Sequence, residues 1–269
     1  MKRQGVLPNL LTAISLCCGL FVIFKMNMIH PGTTAFAQVL SCVEIILLAA
    51  VLDVLDGAVA RAMHAQSAFG GFFDSMADAV SFGVAPSVIV LKSLSILPGT
   101  FLSGFIMTAA ITYSTAGVLR LVRYSTTPPV QDPEVYGTFT GLPITAGAMA
   151  IASLTLCLMS EEWQKAFPIT EFGRTLIAGG VFFFLAYLMV SRWRFPSLKS
   201  INIRVRSLRL VIVIATLSSI ILVMALNSFP LALLFVSWGY VLAAWSSAII
   251  RLAQGKRRAA IDETEEKEE

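Results

Sequence analysis

Long apolar runs are the feature that most restricts how this chain can fold. A helix that crosses a bilayer needs about 20 predominantly apolar residues, and eight stretches approach or exceed that length. They cover residues 7–28, 35–62, 70–96, 101–124, 141–160, 172–191, 208–227 and 231–252. Because backbone polar groups in hydrocarbon must bond within the protein, we predict an all-α, polytopic membrane helix bundle of about eight transmembrane helices.

The composition excludes a soluble globular protein. Hydrophobic residues make up 57% of the 269 residues and charged residues only 13%, whereas soluble domains contain about 25% charged residues. The longest polar connections, 125–140 and 192–207, are too short to bury a core of their own. The first run is interpreted as a retained span rather than a signal peptide. We expect no nucleic-acid partner, and we expect residues 256–269 to be a charged, disordered cytoplasmic tail.

Basic residues concentrate on one side of the predicted bundle. With the N-terminus in the cytoplasm, the loops after the second, fourth and sixth runs, and the C-terminal tail, carry most of the lysine and arginine. Only four basic residues fall on the other side, which are Lys25, Lys92, Lys165 and Arg174. The positive-inside rule therefore predicts that these basic loops lie in the cytoplasm. We expect an integral, multi-pass protein of a bacterial cytoplasmic membrane.

Four aspartates stand where the second run ends and the third begins. Asp53 and Asp56 share one face of a helix, and Asp74 and Asp78, one turn apart, share another. A cytoplasmic turn between the helices lets these faces meet. Carboxylates crowded in a poorly solvated site repel one another unless a cation binds. All-oxygen ligands favour Mg²⁺ or Mn²⁺ over zinc, and four carboxylates suffice for two ions that clamp a phosphoryl or diphosphate group.

Small residues lie among the aspartates and admit two interpretations. Gly57, Ala60, Gly70 and Gly71 leave room for a flat base or a diphosphate beside the helix backbone, but small residues also serve close helix packing alone. The aspartates themselves can instead be solvated helix ends paired with Arg61. A proton or cation transporter is a further alternative, although transporters usually hold their acids near the bilayer midplane.

The arrangement of these residues resembles the complete signature of the CDP-alcohol phosphatidyltransferase family. The matching pattern is Asp53-x-x-Asp56-Gly57-x-x-Ala60-Arg61, eight residues, then Gly70-x-x-x-Asp74-x-x-x-Asp78. The resemblance implies a six-helix core in residues 1–200, usually homodimeric, with residues 201–255 as an additional helix pair. It also implies transfer of a phosphatidyl group from a CDP-linked lipid to an alcohol, with release of CMP.

The resemblance also implies roles for individual residues. Asp53, Asp56 and Asp74 would ligate metal, while Asp78 would complete the metal site and act as general base. The residues expected along the CDP-lipid donor are Gly57, Ala60, Arg61 and Gly70.

Flanking stretches suggest which substrates are used. Residues 8–12, 81–86, 119–124 and 139–143 resemble family members that join CDP-diacylglycerol to L-serine, although 119–124 lacks the usual Ala-Arg-Phe-Asn ending. Glycerol phosphate and inositol phosphate stay open as acceptors. Their extra phosphate would demand a tighter basic pocket than this sequence clearly offers.

The remaining charged residues of interest have no single interpretation. Arg120 and Arg123, at i and i+3, can share a helix face and bind the serine carboxylate or a phosphate, or they can meet membrane lipid phosphates. The basic run in residues 192–209 is expected to bind anionic lipids, although one member can contact the donor diphosphate. Glu44 lies on roughly the opposite face of its helix from Asp53 and is expected to bond to a neighbouring helix.

Overall fold

The computed structural model describes residues 6–30, 34–94, 96, 98–126, 138–191, 194–196 and 228–265. These residues form nine α-helices, one π-helical segment and two three-residue strands. The α-helices are α1 (Val6–Asn27), α2 (Phe36–Ala62), α3 (Ala68–Asp78), α4 (Ala85–Ser93), α5 (Phe101–Thr126), α6 (Ile144–Met159), α7 (Glu161–Ala166), α8 (Glu171–Val190) and α9 (Phe229–Glu265). The π-helical segment is Ala79–Val84, and the strands are β1 (Thr138–Thr140) and β2 (Arg194–Pro196).

Six helical stretches are long and apolar enough to cross a membrane. They are α1, α2, the continuous stretch Ala68–Ser93, α5, α8 and the first part of α9, Phe229–Ile249. Helix α6 is also apolar but has only 16 residues. The prediction of an all-α polytopic bundle is confirmed. The count of about eight is not reached within the described residues, and the predicted span 208–227 lies outside them, as does most of the basic run in residues 192–209.

Large apolar side chains cover the outside of the bundle. Phe24 on α1 and Val54 on α2 are 62% and 67% exposed, and Leu48 and Ile111 are exposed as well. Soluble proteins rarely leave such extensive apolar surface uncovered. On a multi-pass protein these side chains face lipid, which explains why the helices show no strongly polar outer face.

Three helix pairs surround a central helix. Helix α1 packs on α2, α5 on α8, and α6 on α9, while α3, the π-helical segment and α4 run between them and contact α1, α5 and α6. The buried core contains Val43, Phe82, Tyr113 and Phe182, all with no exposed surface. The start of α1, the end of α2, the start of α3 and the end of α5 lie together, and we call this the site end of the bundle.

Side-chain hydroxyls and an indole join α6 to α9. The Oγ atoms of Ser153 and Ser237 are 2.9 Å apart, and Trp238 Nε1 donates to the Ala150 carbonyl oxygen at 3.1 Å. Polar groups inside a membrane bundle commonly bond between helices in this way, because lipid offers them no partner.

A glycine turn fastens the start of α6 to the end of α8. Strands β1 and β2 pair antiparallel just before and after these helices. Gly141 follows β1 with φ +79°, and a Cβ atom there would overlap the carbonyl oxygen of Met189. The next residue, Leu142, donates its N–H to the Leu188 carbonyl oxygen at 3.1 Å. The turn therefore requires a residue that tolerates positive φ and lacks a side chain.

Two expectations differ from the structure. Within the described residues, Glu44 is exposed on α2 and makes no hydrogen bond or ion pair with a neighbouring helix, because its face of α2 points away from the bundle. Helix α9 continues to Glu265, so residues 256–265, expected to be disordered, have a helical backbone. Lysine, arginine, alanine and glutamate, which favour helices, dominate that stretch. The division of the chain into a core and a helix pair stays a prediction.

Candidate active site

The four aspartates converge at the site end, as their spacing predicts. The last turns of α2 carry Asp53 and Asp56, and α3 carries Asp74 and Asp78. One carboxylate oxygen from each of Asp53, Asp56 and Asp74 lies within 4.8 Å of the others. The carboxyl group of Asp78, one turn further along α3, interacts with that of Asp53. Two helices thus bring four acidic groups into one small volume.

A threonine from a third helix supports the cluster. Asp56 is 5% exposed, and its Oδ2 accepts a 2.6 Å hydrogen bond from the hydroxyl of Thr12 on α1. Thr12 Oγ1 also lies 3.1 Å from the Pro8 carbonyl oxygen. A hydroxyl has a single proton, and the shorter, charge-assisted bond to the carboxylate is the stronger of the two. Helix α1 therefore orients one of the predicted metal ligands.

The chemistry of these oxygens fits a hard divalent cation. The two ion pairs within the described residues, Lys165–Glu161 and Arg174–Glu171, lie elsewhere. The clustered carboxylates thus have no ion-pair partner within 4.0 Å in this part of the chain. Gathering negative charge at a membrane protein's polar end is costly without a counter-charge. Clustered carboxylate oxygens are the donors that Mg²⁺ and Mn²⁺ accept, so this cluster can hold a metal ion.

A cavity of about 190 Å³ opens beside the cluster. Its walls come from the start of α1, the end of α2, the following turn and the start of α3. The lining includes the four residues predicted to lie along the donor, which are Gly57, Ala60, Arg61 and Gly70, together with Asp56 and Asp74. The predicted donor residues and two of the predicted metal ligands therefore border one space.

Small residues line part of this cavity. A Cβ atom on Gly57 would lie 3.4 Å from Arg61 Nη1, so the guanidinium group folds back over the glycine. A Cβ atom on Gly70 would lie 3.1 Å from Ser67 Oγ and 3.2 Å from Asn9 Oδ1. A larger side chain at Gly57 or Gly70 would fill the space between the helix backbone and these neighbouring polar side chains. The interpretation of these residues as packing residues alone does not account for this cavity.

Several residues that line the cavity were not predicted to be site residues. Asn9, Thr12, Gln66 and Ser67 all line it. Ser67 also caps α3, because its Oγ accepts the Gly70 N–H at 3.0 Å. Serine directly before the first turn of a helix is a recognisable N-cap signal. Asn9 and Thr12 belong to the stretch 8–12 that contributes to the family resemblance, but that resemblance does not reveal what they contact.

Arg120 and Arg123 lie one turn apart on α5 but contact different parts of the molecule. Arg120 is 9% exposed and close enough to Asp78 for their charges to attract, and its Nε has no hydrogen-bond partner within the described residues. Arg123 donates to the carbonyl oxygens of Val190, at 2.9 Å, and Ser191, at 3.3 Å. Arg120 is therefore placed to meet an anionic ligand, whereas Arg123 bonds the end of α8.

Comparison with known protein families agrees with this arrangement. The family model of the CDP-alcohol phosphatidyltransferases matches residues 5–248. The chain belongs to this family. It is therefore a phosphatidyltransferase, and the alternative of a proton or cation transporter is set aside.

The chain is also similar to curated bacterial proteins. A Helicobacter pylori (strain J99) protein is 28% identical over 94% of this chain and 96% of its own length. A Bacillus subtilis protein is 32% identical over 73% of this chain and 93% of its own length. A Mycobacterium bovis protein is 35% identical over 66% of this chain and 62% of its own length. All three are named CDP-diacylglycerol–serine O-phosphatidyltransferase.

Proposed function

We propose that this phosphatidyltransferase joins the phosphatidyl group of CDP-diacylglycerol to the hydroxyl of L-serine, giving phosphatidylserine and CMP. The observation that carries the proposal is the convergence of Asp53, Asp56 and Asp74 beside a small-residue cavity, with Asp78 next to the buried Arg120. The names of the three relatives favour serine among the possible alcohols.

Asp78 is the proposed general base. A serine hydroxyl is a weak nucleophile at neutral pH, so a group within hydrogen-bond reach must accept its proton. In the proposed reaction the Asp78 carboxylate accepts that proton as the serine oxygen bonds to the lipid-side phosphorus. The bond between that phosphorus and the CMP oxygen breaks, and CMP leaves with its electron pair.

The other aspartates are the proposed metal ligands. Asp53, Asp56 and Asp74 would hold Mg²⁺ or Mn²⁺, with Asp78 completing a site for up to two ions. A bound ion supplies positive charge that stabilises the diphosphate and the departing CMP. Thr12 keeps Asp56 oriented through its 2.6 Å hydrogen bond. In this proposal, the protein holds several carboxylates at fixed positions beside the site for the CDP-lipid donor.

The two substrates are proposed to approach from different sides of the cluster. Gly57, Ala60, Arg61 and Gly70 border the cavity that would hold the cytidine and diphosphate. Arg120 would bind the serine carboxylate, because a buried guanidinium with an unbonded Nε is suited to an anionic partner. Its position near Asp78 would bring the serine hydroxyl toward the base.

The membrane setting completes the proposal. The positive-inside rule supports a cytoplasmic site end, which would let L-serine enter from the cytoplasm while the acyl chains of the donor stay in the bilayer. We propose a bacterial cytoplasmic membrane as the location, in keeping with the bacterial relatives. A homodimer is the proposed assembly, on the family resemblance alone.

An acceptor comparison tests the proposal. The full chain, purified and supplied with CDP-diacylglycerol and Mg²⁺ or Mn²⁺, is given L-serine, glycerol 3-phosphate or inositol 1-phosphate in separate reactions, and CMP release is measured. We expect release with L-serine, and its loss when the metal is chelated. Release with another alcohol but not with serine would refute the proposed acceptor while leaving phosphatidyl transfer intact.

A further inference from the structure

The helix that carries Asp78 changes its geometry immediately after that residue. Residues Ala79–Val84 form a π-helical segment, and the N–H of Ala85 bonds to the carbonyl oxygen of Val80, five residues earlier. Helices α3 and α4 continue on either side. Short π-helical turns within α-helices are rare and occur often at functional sites.

Proline 86 explains why the α-helical pattern fails here. In an unbroken α-helix, the carbonyl of Phe82 would accept the N–H of residue 86. Pro86 has no N–H, and its ring would clash with that carbonyl. The Phe82 carbonyl oxygen instead accepts a 3.0 Å hydrogen bond from the hydroxyl of Tyr113 on α5. Tyr113 has no exposed surface and packs on Phe182, with ring centroids 5.2 Å apart.

Further contacts hold the π-helical segment from both sides. On the α5 side, the Ser114 hydroxyl donates to the Gly83 carbonyl oxygen at 2.9 Å. On the α1 side, the Ser81 hydroxyl donates to the Ser15 carbonyl oxygen at 3.1 Å, and Gly19 approaches Ser81 so closely that a Cβ atom would overlap it. Hydroxyl groups thus fasten the π-helical segment to α5 on one side and to α1 on the other.

The extra residue of the π turn changes which faces the two helices present. Eleven residues separate Asp74 from Ala85, about three full turns of an α-helix at about 100° per residue. Without the π turn, Ala85 and Ile89 would lie on the same face as the aspartates. The added residue rotates α4 by about 100° relative to α3. The aspartates can then face α2 while Ala85 and Ile89 are buried in the core.

We infer that Pro86 and Tyr113 are positioning residues that set the placement of Asp78 by maintaining this π turn. Pro86 prevents the α-helical hydrogen bond, and Tyr113 supplies the donor that the resulting turn needs. The inference rests on the proposed role of Asp78 as general base. Neither side chain touches substrate in this scheme, so both act through the orientation of the helix.

Three variants of the full chain in detergent test the inference, which are Pro86→Ala, Tyr113→Phe and the double variant. The measurements are kcat for CMP release, the metal concentration for half-maximal activity, and the thermal unfolding midpoint. Pro86→Ala restores an N–H and permits a regular α-helix. Small displacements of a reacting group can cost about 100-fold in rate, and we expect a fall in kcat of that order without a fall in the unfolding midpoint.

The double variant separates positioning from stability. Tyr113→Phe removes the hydroxyl that donates to the buried Phe82 carbonyl oxygen, so we expect both the unfolding midpoint and kcat to fall. In the double variant the new N–H of residue 86 replaces the lost hydroxyl, so the midpoint should recover while kcat stays low. A purely structural role for Tyr113 predicts instead that kcat recovers together with the midpoint, and that result would overturn the inference.

Ser153→Ala is the matched control. It also removes a buried hydroxyl that bonds between helices, but that hydroxyl bonds Ala150 and Ser237 and not the π turn, so kcat should not change. Wild-type kcat in Pro86→Ala or in Tyr113→Phe would overturn the inference. If the proposed role of Asp78 as general base is itself wrong, the Asp78→Asn variant keeps its activity. An inactive Asp78→Asn variant beside a fully active Pro86→Ala variant refutes the positioning role alone.

Discussion

Thr12 shows how an uncharged side chain contributes to a charged site. Its hydroxyl is the hydrogen-bond donor to the buried Asp56 carboxylate, and it comes from a helix that carries none of the aspartates. Groups that donate a hydrogen bond to a metal-ligating side chain fix its orientation and commonly affect metal affinity strongly. At the scale of single residues, the site therefore includes Thr12 as well as the four aspartates.

Replacing Thr12 tests this contribution. In Thr12→Ala the Asp56 carboxylate loses its buried donor and is free to rotate, so we expect the Mg²⁺ or Mn²⁺ concentration for half-maximal activity to rise by about tenfold or more. Thr12→Ser keeps the hydroxyl and should stay close to the wild type. The measurement is CMP release across a metal titration. Equal metal dependence in the alanine and serine variants would show that the hydrogen bond does not support metal binding.

The general-base assignment calls for a different variant. Asp78→Asn keeps the shape of the side chain but cannot accept the serine proton, so we expect turnover to fall by about 100-fold or more. Metal-dependent binding of CDP-diacylglycerol should stay measurable, because the other three aspartates are unchanged. Glu44→Gln, the same kind of change on an exposed face of α2, is the control and should be fully active. Near-normal turnover in Asp78→Asn would refute the assignment.

The residues that sequence reasoning found and missed differ in one physical respect. The aspartates are spaced along two adjacent helices, so helical periodicity alone brings them together. Thr12 bonds a residue 44 positions away, and nothing in local spacing indicates that contact. Arg123 shows the reverse case. Its spacing from Arg120 predicts a shared face, but the distance from α5 to the end of α8 decides its partners, and the sequence does not contain that distance.

At the scale of helices and turns, hydropathy predicted the fold well because each span must satisfy its own backbone. The π turn was not predicted. Its cause, the missing N–H of Pro86, is visible in the sequence, but the Tyr113 hydroxyl that makes the turn stable lies on another helix. The connection from β1 to α6 was equally hidden, since Gly141 is explained only by the carbonyl group of Met189 beside it.

Gly141→Ala tests that connection. An alanine would have to adopt φ near +79° and would meet the Met189 carbonyl oxygen, so we expect the free energy of unfolding to fall by about 2 kcal/mol or more. Gly180→Ala is the matched control on α8, where a Cβ atom meets nothing within 4 Å. It should leave stability unchanged or raise it by up to about 1 kcal/mol. Thermal unfolding in detergent compares the two, and an equal response would contradict the steric explanation.

The orientation of the whole molecule in the membrane is a separate prediction. In a version whose four native cysteines are replaced by alanine, single cysteines are introduced by Thr126→Cys at the site end and by Glu162→Cys at the opposite end. Both positions are exposed. With a cytoplasmic site end, a membrane-impermeant maleimide should label the Glu162→Cys variant in intact cells and the Thr126→Cys variant only after permeabilisation. The opposite labelling pattern would place the site end outside the cell.

The cavity beside the aspartates has a consequence for how the protein is made. All of its lining residues fall between Pro8 and Asp74, within the first part of the chain that a ribosome delivers to the membrane. Arg120 and the helices that follow it arrive later. The pocket proposed for the nucleotide-linked lipid can therefore assemble while synthesis continues, and the side proposed to receive serine is added to a partly formed enzyme.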